Sequence, residues 1–419
     1  MHQLNFTFGK SEKIIKYLIF SLPLTFVIGT AFVNIISIVL ALIFLVLIFM
    51  KKINFKKKYY YIFFFILFLF LLNSYFSIDP SLSLIKIIGI LKLFFVTCII
   101  SHYSKKRDFV NKFSKYLFFL VIFISFDLLI QYFFGQDIFG FKYNEAHGLR
   151  LSGPFGDEFV AGSFIAKIAF LSLIYIYSKN NTLTLFATLI LINLITFLTN
   201  ERSASIMLFL STFIFIIFNN FLNSKAKFIF SSAIFLVVTI FIYFNPNLKS
   251  QFINKTLNQF GIMQINKLDN KKIFFDSIWG AHYLTAIEIF KNYPVFGSGV
   301  KTFRIECSKK KYDQINSKSF NYRCSTHPHN FYLEILSETG LIIFLLFIIF
   351  NLYIFLYFVK LIFFDKGHKH KLSIFYFCSY FLLFSPFQTT GSITSSWNGG
   401  LYFMVTGFII GYINSEKIN

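Results

Sequence analysis

The 419-residue chain is 56% hydrophobic and 21% aromatic, and only 14% of its residues are charged. Apolar runs long enough to cross a bilayer follow one another through most of the sequence, which excludes a soluble globular protein and predicts a polytopic membrane protein. The net charge of +22 would suggest nucleic-acid binding in a soluble protein. Here the charge gathers in the connections between apolar runs, where it marks topology, and we predict no nucleic-acid partner.

The apolar runs predict an all-α polytopic bundle of about 12 transmembrane helices. In chain order they lie near residues 15–29, 33–50, 59–75, 83–101, 115–134, 159–177, 182–199, 203–219, 227–244, 333–359, 371–386 and 399–414. A long connection, about 245–332, separates the ninth helix from the tenth, and we expect it to contain short helices. The whole chain, 1–419, is predicted as a single membrane domain that carries this one long loop.

The charge of the connections predicts the orientation in the membrane. One set is rich in lysine, as in segments 51–58, 105–115 and 360–371, whereas the short connections of the other set carry few basic residues. An excess of Lys and Arg marks the cytoplasmic side, so both termini are predicted to be cytoplasmic and the long loop periplasmic, in a bacterial inner membrane. Only five of the 40 basic residues are arginine, and four of these fall on the predicted periplasmic side: Arg150, Arg202, Arg304 and Arg323.

Two cysteines fall in the predicted periplasmic loop. Cys307 and Cys324 lie 17 positions apart in a compartment that permits disulfides, so a bridge between them is one expectation. Two unlinked thiols are the alternative.

The segment 324–340, CSTHPHNFYLEILSETG, enters the tenth predicted helix. Asn330 can cap that helix, which would place His327 and His329 at its mouth. An imidazole with a pKa near 6.5 suits a general base for a hydroxyl; the alternative is that both histidines are ordinary loop residues. Zinc binding with Cys324 is a further alternative. However, an extended His-x-His stretch is expected to point its rings apart and no fourth ligand is evident, so we predict no metal and no cofactor.

Four segments, taken together, resemble one family. His329-Asn330-x-x-Leu333, followed by Gly340, resembles the signature of the bacterial O-antigen ligase and O-antigen polymerase family. Segments 150–158 (RLSGPFGDE), 201–203 (ERS) and 293–299 (YPVFGSG) resemble further motifs of that family, in its order. The resemblance implies a metal-independent membrane glycosyltransferase. It would move a glycan from undecaprenyl diphosphate to a sugar hydroxyl, on the lipid A-core in ligases or on another lipid-linked repeat in polymerases.

The resemblance assigns the general-base role to His329 and diphosphate binding to Arg202. A guanidinium fork at a helix mouth suits phosphate oxygens; the alternative for Arg202 is a side chain that anchors the helix at the membrane surface. The supporting residues predicted around these two are Asn330, Glu158 and His327.

Family ligases usually carry a second arginine early in the long loop, but no arginine occurs between residues 203 and 303. His282, Arg304 and Arg150 are the candidates for this missing phosphate ligand. Asp157 and Glu158 would orient Arg150, and a purely local salt bridge in this loop is the alternative.

We therefore predict an O-antigen ligase-like enzyme, with an O-antigen polymerase as the alternative. Its expected partners are the undecaprenyl-diphosphate-linked donor, a lipid A-core or lipid-linked acceptor, and membrane lipids. A transporter or lipid-glycan flippase is the alternative from another class. Transporters place polar residues near the midplane, often in two related halves, whereas here the polar candidates gather at one face.

Two local patterns add structural predictions. Lys86 and Asp127 share a depth in neighbouring predicted helices, and we expect them to form an ion pair. Residues 281–293 have helical periodicity, with Tyr283, Ile287 and Phe290 on one face. This helix is expected to lie on the membrane surface or to pack against the bundle.

Overall fold

The structure is a computed structural model that describes residues 2–53, 55–143, 149–259, 274–315, 317–364 and 371–416. These residues form helices and connections without a β-strand, apart from an isolated bridge between Gln136 and Lys142. The predicted all-α class is confirmed.

Thirteen helices of twelve or more residues occur in the described parts of the chain. They are α1 (His2–Ile28), α2 (Thr30–Phe49), α3 (Lys57–Tyr75), α4 (Pro80–Ser104), α5 (Arg107–Phe134), α6 (Ala161–Ser178), α7 (Thr182–Leu198), α8 (Arg202–Phe218), α9 (Ser224–Phe244), α10 (Ile278–Asn292), α11 (Phe331–Val359), α12 (Ser373–Phe384) and α13 (Ser396–Glu416). Shorter helical turns span Gly153–Phe155, Pro246–Leu248, Lys249–Asn254, Lys255–Gln259, Phe303–Glu306, Lys310–Tyr312, Phe320–Tyr322 and Lys360–Phe364.

Seven of the described helices are long and apolar enough to cross a membrane: α2, α3, α4, α5, α6, α9 and the continuous run Phe331–Phe364 that contains α11. Helices α7, α8 and α12 are apolar but shorter. In α6, 78% of the apolar window is buried inside the protein, against 11% in α9. Helix α6 is therefore at the centre of a multi-pass bundle, and α9 turns most of its apolar surface outward.

Hydrogen bonds tie many helix ends together on one face of the bundle. Asn73, near the end of α3, donates to the carbonyl oxygens of Phe296 (2.5 Å) and Glu338 (2.8 Å). Trp397, at the start of α13, donates through Nε1 to the carbonyl oxygen of Phe26 in α1 (2.8 Å). We call the face that carries the first residues of α6, α8, α11 and α13 the site face.

The loop between α9 and α11 has a small hydrophobic core of its own. Its buried members are Ala286, Ile289, Phe303, Cys307, Tyr312 and Ile315. Cys307 is joined to Cys324 in a disulfide with a Cα–Cα distance of 5.3 Å. The bridge links this core to the chain just before the histidine segment.

The predicted ion pair between Lys86 and Asp127 is wrong. Asp127 is fully buried, and its Oδ1 accepts a hydrogen bond from the Ile138 amide (2.9 Å), because the chain after α5 folds back over the end of that helix. Lys86 instead lies near Lys301, close enough for the two charges to repel.

Helix α10 packs on the loop core. Ala281, Ala286 and Ile289 are buried, whereas Tyr283 and Ile287 are half-exposed on the other side. The face predicted from the apolar pattern is therefore the outer face of this helix.

Candidate active site

We call the part of the site face that contains Arg150, Arg202 and Glu201 the arginine half. It is built on a buried glutamate. Glu201 directly precedes α8, and its carboxylate accepts hydrogen bonds from the start of α6. The donors are the amides of Gly162 (2.6 Å) and Ser163 (3.1 Å) and the Ser163 hydroxyl (2.6 Å). Burial raises the pKa of Glu201, and the bonds from Ser163 and the attraction of Arg150 oppose that rise. Glu201 thus fixes the start of α8 to the start of α6.

Arg150 lies near this carboxylate, and Arg202 lies near Arg150. Arg202 is the first residue of α8 and is half-buried. Arg150 donates through Nη2 to the carbonyl oxygen of Phe159 (3.0 Å), and its guanidinium lies over the Phe159 ring at 5.4 Å. The two guanidinium groups are close enough to repel each other. Two neighbouring guanidinium groups suit an anionic ligand, because each can donate hydrogen bonds to its oxygens.

Glu158 lies apart from this pair. Its side chain is exposed, and within the described residues neither Asp157 nor Glu158 forms an ion pair with Arg150. The orienting contact of Arg150 is the Phe159 carbonyl instead.

We call the part of the site face around His329 the histidine half. It contains three imidazoles and one indole that lie close together. The ring centroid of His329 lies 4.2 Å from that of His327, 5.2 Å from that of His282 and 4.8 Å from that of Trp279. The expectation that His327 and His329 point apart is wrong, because His329 has a φ of 57° and turns the chain. Within the described chain, no group of three or more His, Cys, Asp or Glu side chains is arranged to hold a metal ion.

Hydrogen bonds fix the orientation of both histidines. His327 donates through Nε2 to the carbonyl oxygen of Thr390 (3.2 Å), and its Nδ1 bonds the Thr326 hydroxyl (2.9 Å). His329 bonds the Ser325 hydroxyl through Nε2 (3.1 Å). The disulfide at Cys324 directly precedes Ser325, so it also constrains the support of His329.

Asn330 caps α11 through its side-chain oxygen, which accepts hydrogen bonds from the amides of Tyr332 (3.0 Å) and Leu333 (3.2 Å). Its amide nitrogen donates to the carbonyl oxygen of Pro386 (3.0 Å). Asn330 therefore fixes both the helix start and the neighbouring segment.

The histidines are neutral at physiological pH. Burial, together with the neighbouring His327 and His282, lowers the pKa of His329 to about 3. Burial and the charge of Lys301 lower the pKa of His327 to about 4. Neutral imidazoles can accept a proton, which a general base requires.

One segment, residues 386–395, joins the two halves. The Thr389 amide donates to the hydroxyl of Ser203, the neighbour of Arg202 (3.1 Å). The next residue, Thr390, donates through its amide to the carbonyl oxygen of His329 (2.8 Å). The arginine pair and His329 are therefore connected across two adjacent residues of one segment.

The Tyr293–Gly299 motif crosses α11 at close range. Gly297 and Gly340 both have a φ of 73°, and a Cβ atom on Gly297 would collide with the backbone carbonyl of Glu338. The Leu341 amide donates to the carbonyl oxygen of Pro294 (2.9 Å). Only glycine permits this conformation and this backbone contact, which explains why the two motifs occur together.

A buried charge cluster under the histidines was missed by the sequence reasoning. The Lys301 ammonium donates to the Ser392 hydroxyl (2.6 Å) and lies 3.9 Å from Oε1 of Glu334. The Glu338 carboxylate accepts hydrogen bonds from the amides of Lys301 (2.7 Å) and Phe303 (3.1 Å). The available signal was the pair of glutamates four residues apart in an apolar helix, since buried carboxylates need partners.

The three candidates for the second phosphate ligand separate in space. Arg150 lies beside Arg202. Arg304 is exposed and lies near His327, and His282 is stacked on His329. Only Arg150 therefore belongs to the arginine half.

A multi-pass helical bundle with an arginine pair and a histidine cluster at one face defines an integral membrane protein with a polar site at its helix ends. Residues 168–348 match the family model described as O-antigen ligase. This match covers 181 of the 419 residues and supports the resemblance to the O-antigen ligase and polymerase family that the motifs indicated; the activity that this family implies is of ligase or polymerase type. A search of curated proteins finds no match.

Proposed function

We propose that this protein is an O-antigen ligase that transfers a glycan from undecaprenyl diphosphate to a sugar hydroxyl of the lipid A-core, without a metal ion. The observation that carries the proposal is the connection of two sites of opposite character through residues 386–395. One is the cationic Arg150–Arg202 pair and the other is the neutral His329 imidazole.

The proposed topology has twelve spans with both termini in the cytoplasm and the site face in the periplasm. It is supported by the lysine-rich segments 51–58 and 105–115, which connect helices at the ends opposite the site face. It is also supported by the alternation of α1–α9 and α11–α13 between two ends. In this orientation the site lies where both lipid-linked substrates can reach it.

The chemistry follows from the two halves. His329 takes the proton of the acceptor hydroxyl as that oxygen attacks the anomeric carbon of the donor. The bond from the anomeric carbon to the diphosphate oxygen breaks, and its electron pair leaves with the diphosphate. Arg150 and Arg202 stabilise the charge that develops there. The products are the new glycoside and undecaprenyl diphosphate, and His329 returns its proton to solvent.

The low pKa of His329 is compatible with this role. A bound diphosphate brings negative charge to the site face, and a nearby anion raises the proton affinity of an imidazole. The base therefore strengthens when the donor is in place.

Polymerisation of lipid-linked repeats is the second candidate, favoured by the absence of an arginine between residues 203 and 303. A lipopolysaccharide gel from a deletion strain distinguishes the two. Loss of every O-antigen chain from the core supports the ligase, whereas a core that retains a single repeat supports the polymerase.

The test of the base is His329→Ala in the full-length protein, reconstituted in nanodiscs with a lipid-linked donor and a lipid A-core acceptor. We expect transfer to fall by roughly 10²–10⁴-fold, the usual contribution of a general base. The matched control is His327→Ala, since both ring nitrogens of His327 already have protein partners. Retained transfer in His329→Ala would overturn the assignment. A flippase would move lipid but form no glycosidic bond.

A further inference from the structure

We propose that Trp279 and His282 form a subsite for the acceptor sugar beside His329. The Trp279 indole stacks on a sugar ring, and Nδ1 of His282 accepts a hydrogen bond from a sugar hydroxyl. This inference rests on the proposed function, and it specifies which residues contact the acceptor.

The two side chains share one side of α10 and face the base. Trp279 and His282 are three residues apart, so they are neighbours on the helix surface. Their ring centroids are 6.1 Å apart, and they lie 4.8 Å and 5.2 Å from the His329 ring. A sugar that contacts both would therefore reach His329.

The orientation of α10 is fixed. Tyr283 lies close enough to Asn330, the residue that caps α11 and follows His329, for Asn330 to oppose the rise that burial causes in the pKa of the Tyr283 hydroxyl. Further along the same face of the helix, Ala286 and Ile289 are buried in the loop core. The positions of Trp279 and His282 relative to His329 are thus set by the fold.

Nδ1 of His282 is an acceptor without a partner. The side chain is 4% exposed, and Nδ1 has no hydrogen-bond partner in the described structure. A hydrogen bond with the backbone of Tyr322 opposes the lowering of the His282 pKa by burial. Because Nδ1 is unpaired, we assign this bond to Nε2 as donor, which leaves the lone pair of the neutral ring on Nδ1. A buried acceptor is costly to leave unpaired, so the site favours a ligand that donates a hydrogen bond.

This geometry separates His282 from the phosphate ligands. Diphosphate oxygens are acceptors, and a neutral Nδ1 lone pair repels them. A sugar hydroxyl is a donor and fits. Trp279 is half-exposed, and the negative face of its indole suits the C–H face of a sugar ring. A carbohydrate acceptor satisfies both groups.

The experiment uses full-length protein in nanodiscs, with lipid-linked glycan from the parent strain as donor and purified lipid A-core as acceptor. Three variants are compared: Trp279→Ala, His282→Phe, which keeps a ring but removes the acceptor atom, and His282→Asn, whose side-chain oxygen replaces Nδ1. Binding of undecaprenyl diphosphate without glycan is measured separately, and Trp279→Phe serves if Trp279→Ala does not fold.

We expect Trp279→Ala and His282→Phe to raise the KM for the acceptor about tenfold, a change typical of one lost contact. The KM for the donor and the affinity for undecaprenyl diphosphate stay unchanged, and His282→Asn stays within about threefold of the natural protein. Weaker binding of undecaprenyl diphosphate by His282→Phe would overturn the inference and make His282 a phosphate ligand. An unchanged acceptor KM in both variants would also overturn it. If the natural protein forms no glycosidic bond in this assay, the proposed function itself fails.

Discussion

The two halves of the site face are both built on buried glutamates, yet they present different chemical groups. In the arginine half, Glu201 accepts hydrogen bonds from Gly162 and Ser163, Arg150 lies near its carboxylate, and Arg202 lies near Arg150. In the histidine half, the single ammonium of Lys301 lies among Glu334 and Glu338. The first arrangement presents two guanidinium groups, and the second places buried carboxylates around one ammonium beside neutral imidazoles.

The difference shows how one face can perform two tasks. An anion is bound where two guanidinium groups lie side by side, since their mutual repulsion is relieved when the ligand arrives. A proton is accepted where imidazoles are kept neutral, which requires that no excess negative charge raise their pKa. Lys301 meets this need, because its charge lowers the pKa of His327 while Glu334 compensates the ammonium.

The largest effect is expected from a substitution that destabilises the histidine half. Glu334→Gln leaves the ammonium of Lys301 buried without its nearest carboxylate. Removal of one partner of a buried pair typically costs about 3–5 kcal/mol. We expect a marked drop in the thermal unfolding midpoint in detergent, and the double variant Glu334→Gln/Lys301→Met should recover most of it.

The control for this experiment is Glu201→Gln. The carboxylate of Glu201 bonds amides and a hydroxyl, and the cation near it, Arg150, is half-buried and bonds the Phe159 carbonyl, so the replacement leaves no fully buried ammonium behind. A smaller drop is expected. Equal drops, or a double variant no better than Glu334→Gln alone, would show that the Lys301 pair is not what stabilises this half.

The next largest effect tests whether the arginine half binds the donor. Arg150→Lys keeps the charge but removes the guanidinium fork, so the KM for the donor should rise roughly 10–100-fold. Arg304→Lys is the matched variant, because Arg304 is exposed and lies near His327 rather than Arg202. We expect it to change the donor KM by less than about threefold. A reversal of the two results would move the diphosphate to the other half.

How far the sequence predicts this molecule depends on whether a feature is local. The helices follow from apolar runs, and Asn330 caps α11 as its position predicts. The proximity of Cys307 and Cys324 was one of two open expectations, and the structure joins them. These features depend on segments of the chain that can be recognised alone.

Features that depend on distant contacts were not predictable. Thr390 lies 61 positions after His329 in the sequence, so nothing local indicates that it binds the histidine turn. Nothing in the sequence distinguishes Lys301 from the other lysines of the loop. The positive φ of His329 has no signal in the sequence either. The predicted pairing of Asp127 with Lys86 was based only on their similar depth in the membrane. In the structure, Asp127 accepts a hydrogen bond from the backbone amide of Ile138 instead.

The smallest expected effect concerns pH, and it tests whether the histidine half keeps its base neutral. With the pKa of His329 lowered to about 3, the acidic limb of kcat/KM should lie well below the value of about 6.5 for an ordinary imidazole.

The stability of the folded protein depends on pH differently. The unfolded chain takes up a proton near pH 6.5 and folded His329 does not, so the stability that this group contributes is present above that pH. It is lost as the pH falls toward the folded value.

Activity per folded molecule should therefore persist in the range in which the unfolding midpoint already declines. His327→Ala removes a neighbour that lowers the pKa of His329, so the acidic limb should move upward by less than about one pH unit. Arg150→Lys should leave the limb in place, because Arg150 belongs to the other half. Rate–pH profiles of the three proteins, each corrected for the folded fraction, provide the measurement. A limb near pH 6.5 in the natural protein would mean that the histidine half does not keep its base neutral, and the contrast between the two halves would fail.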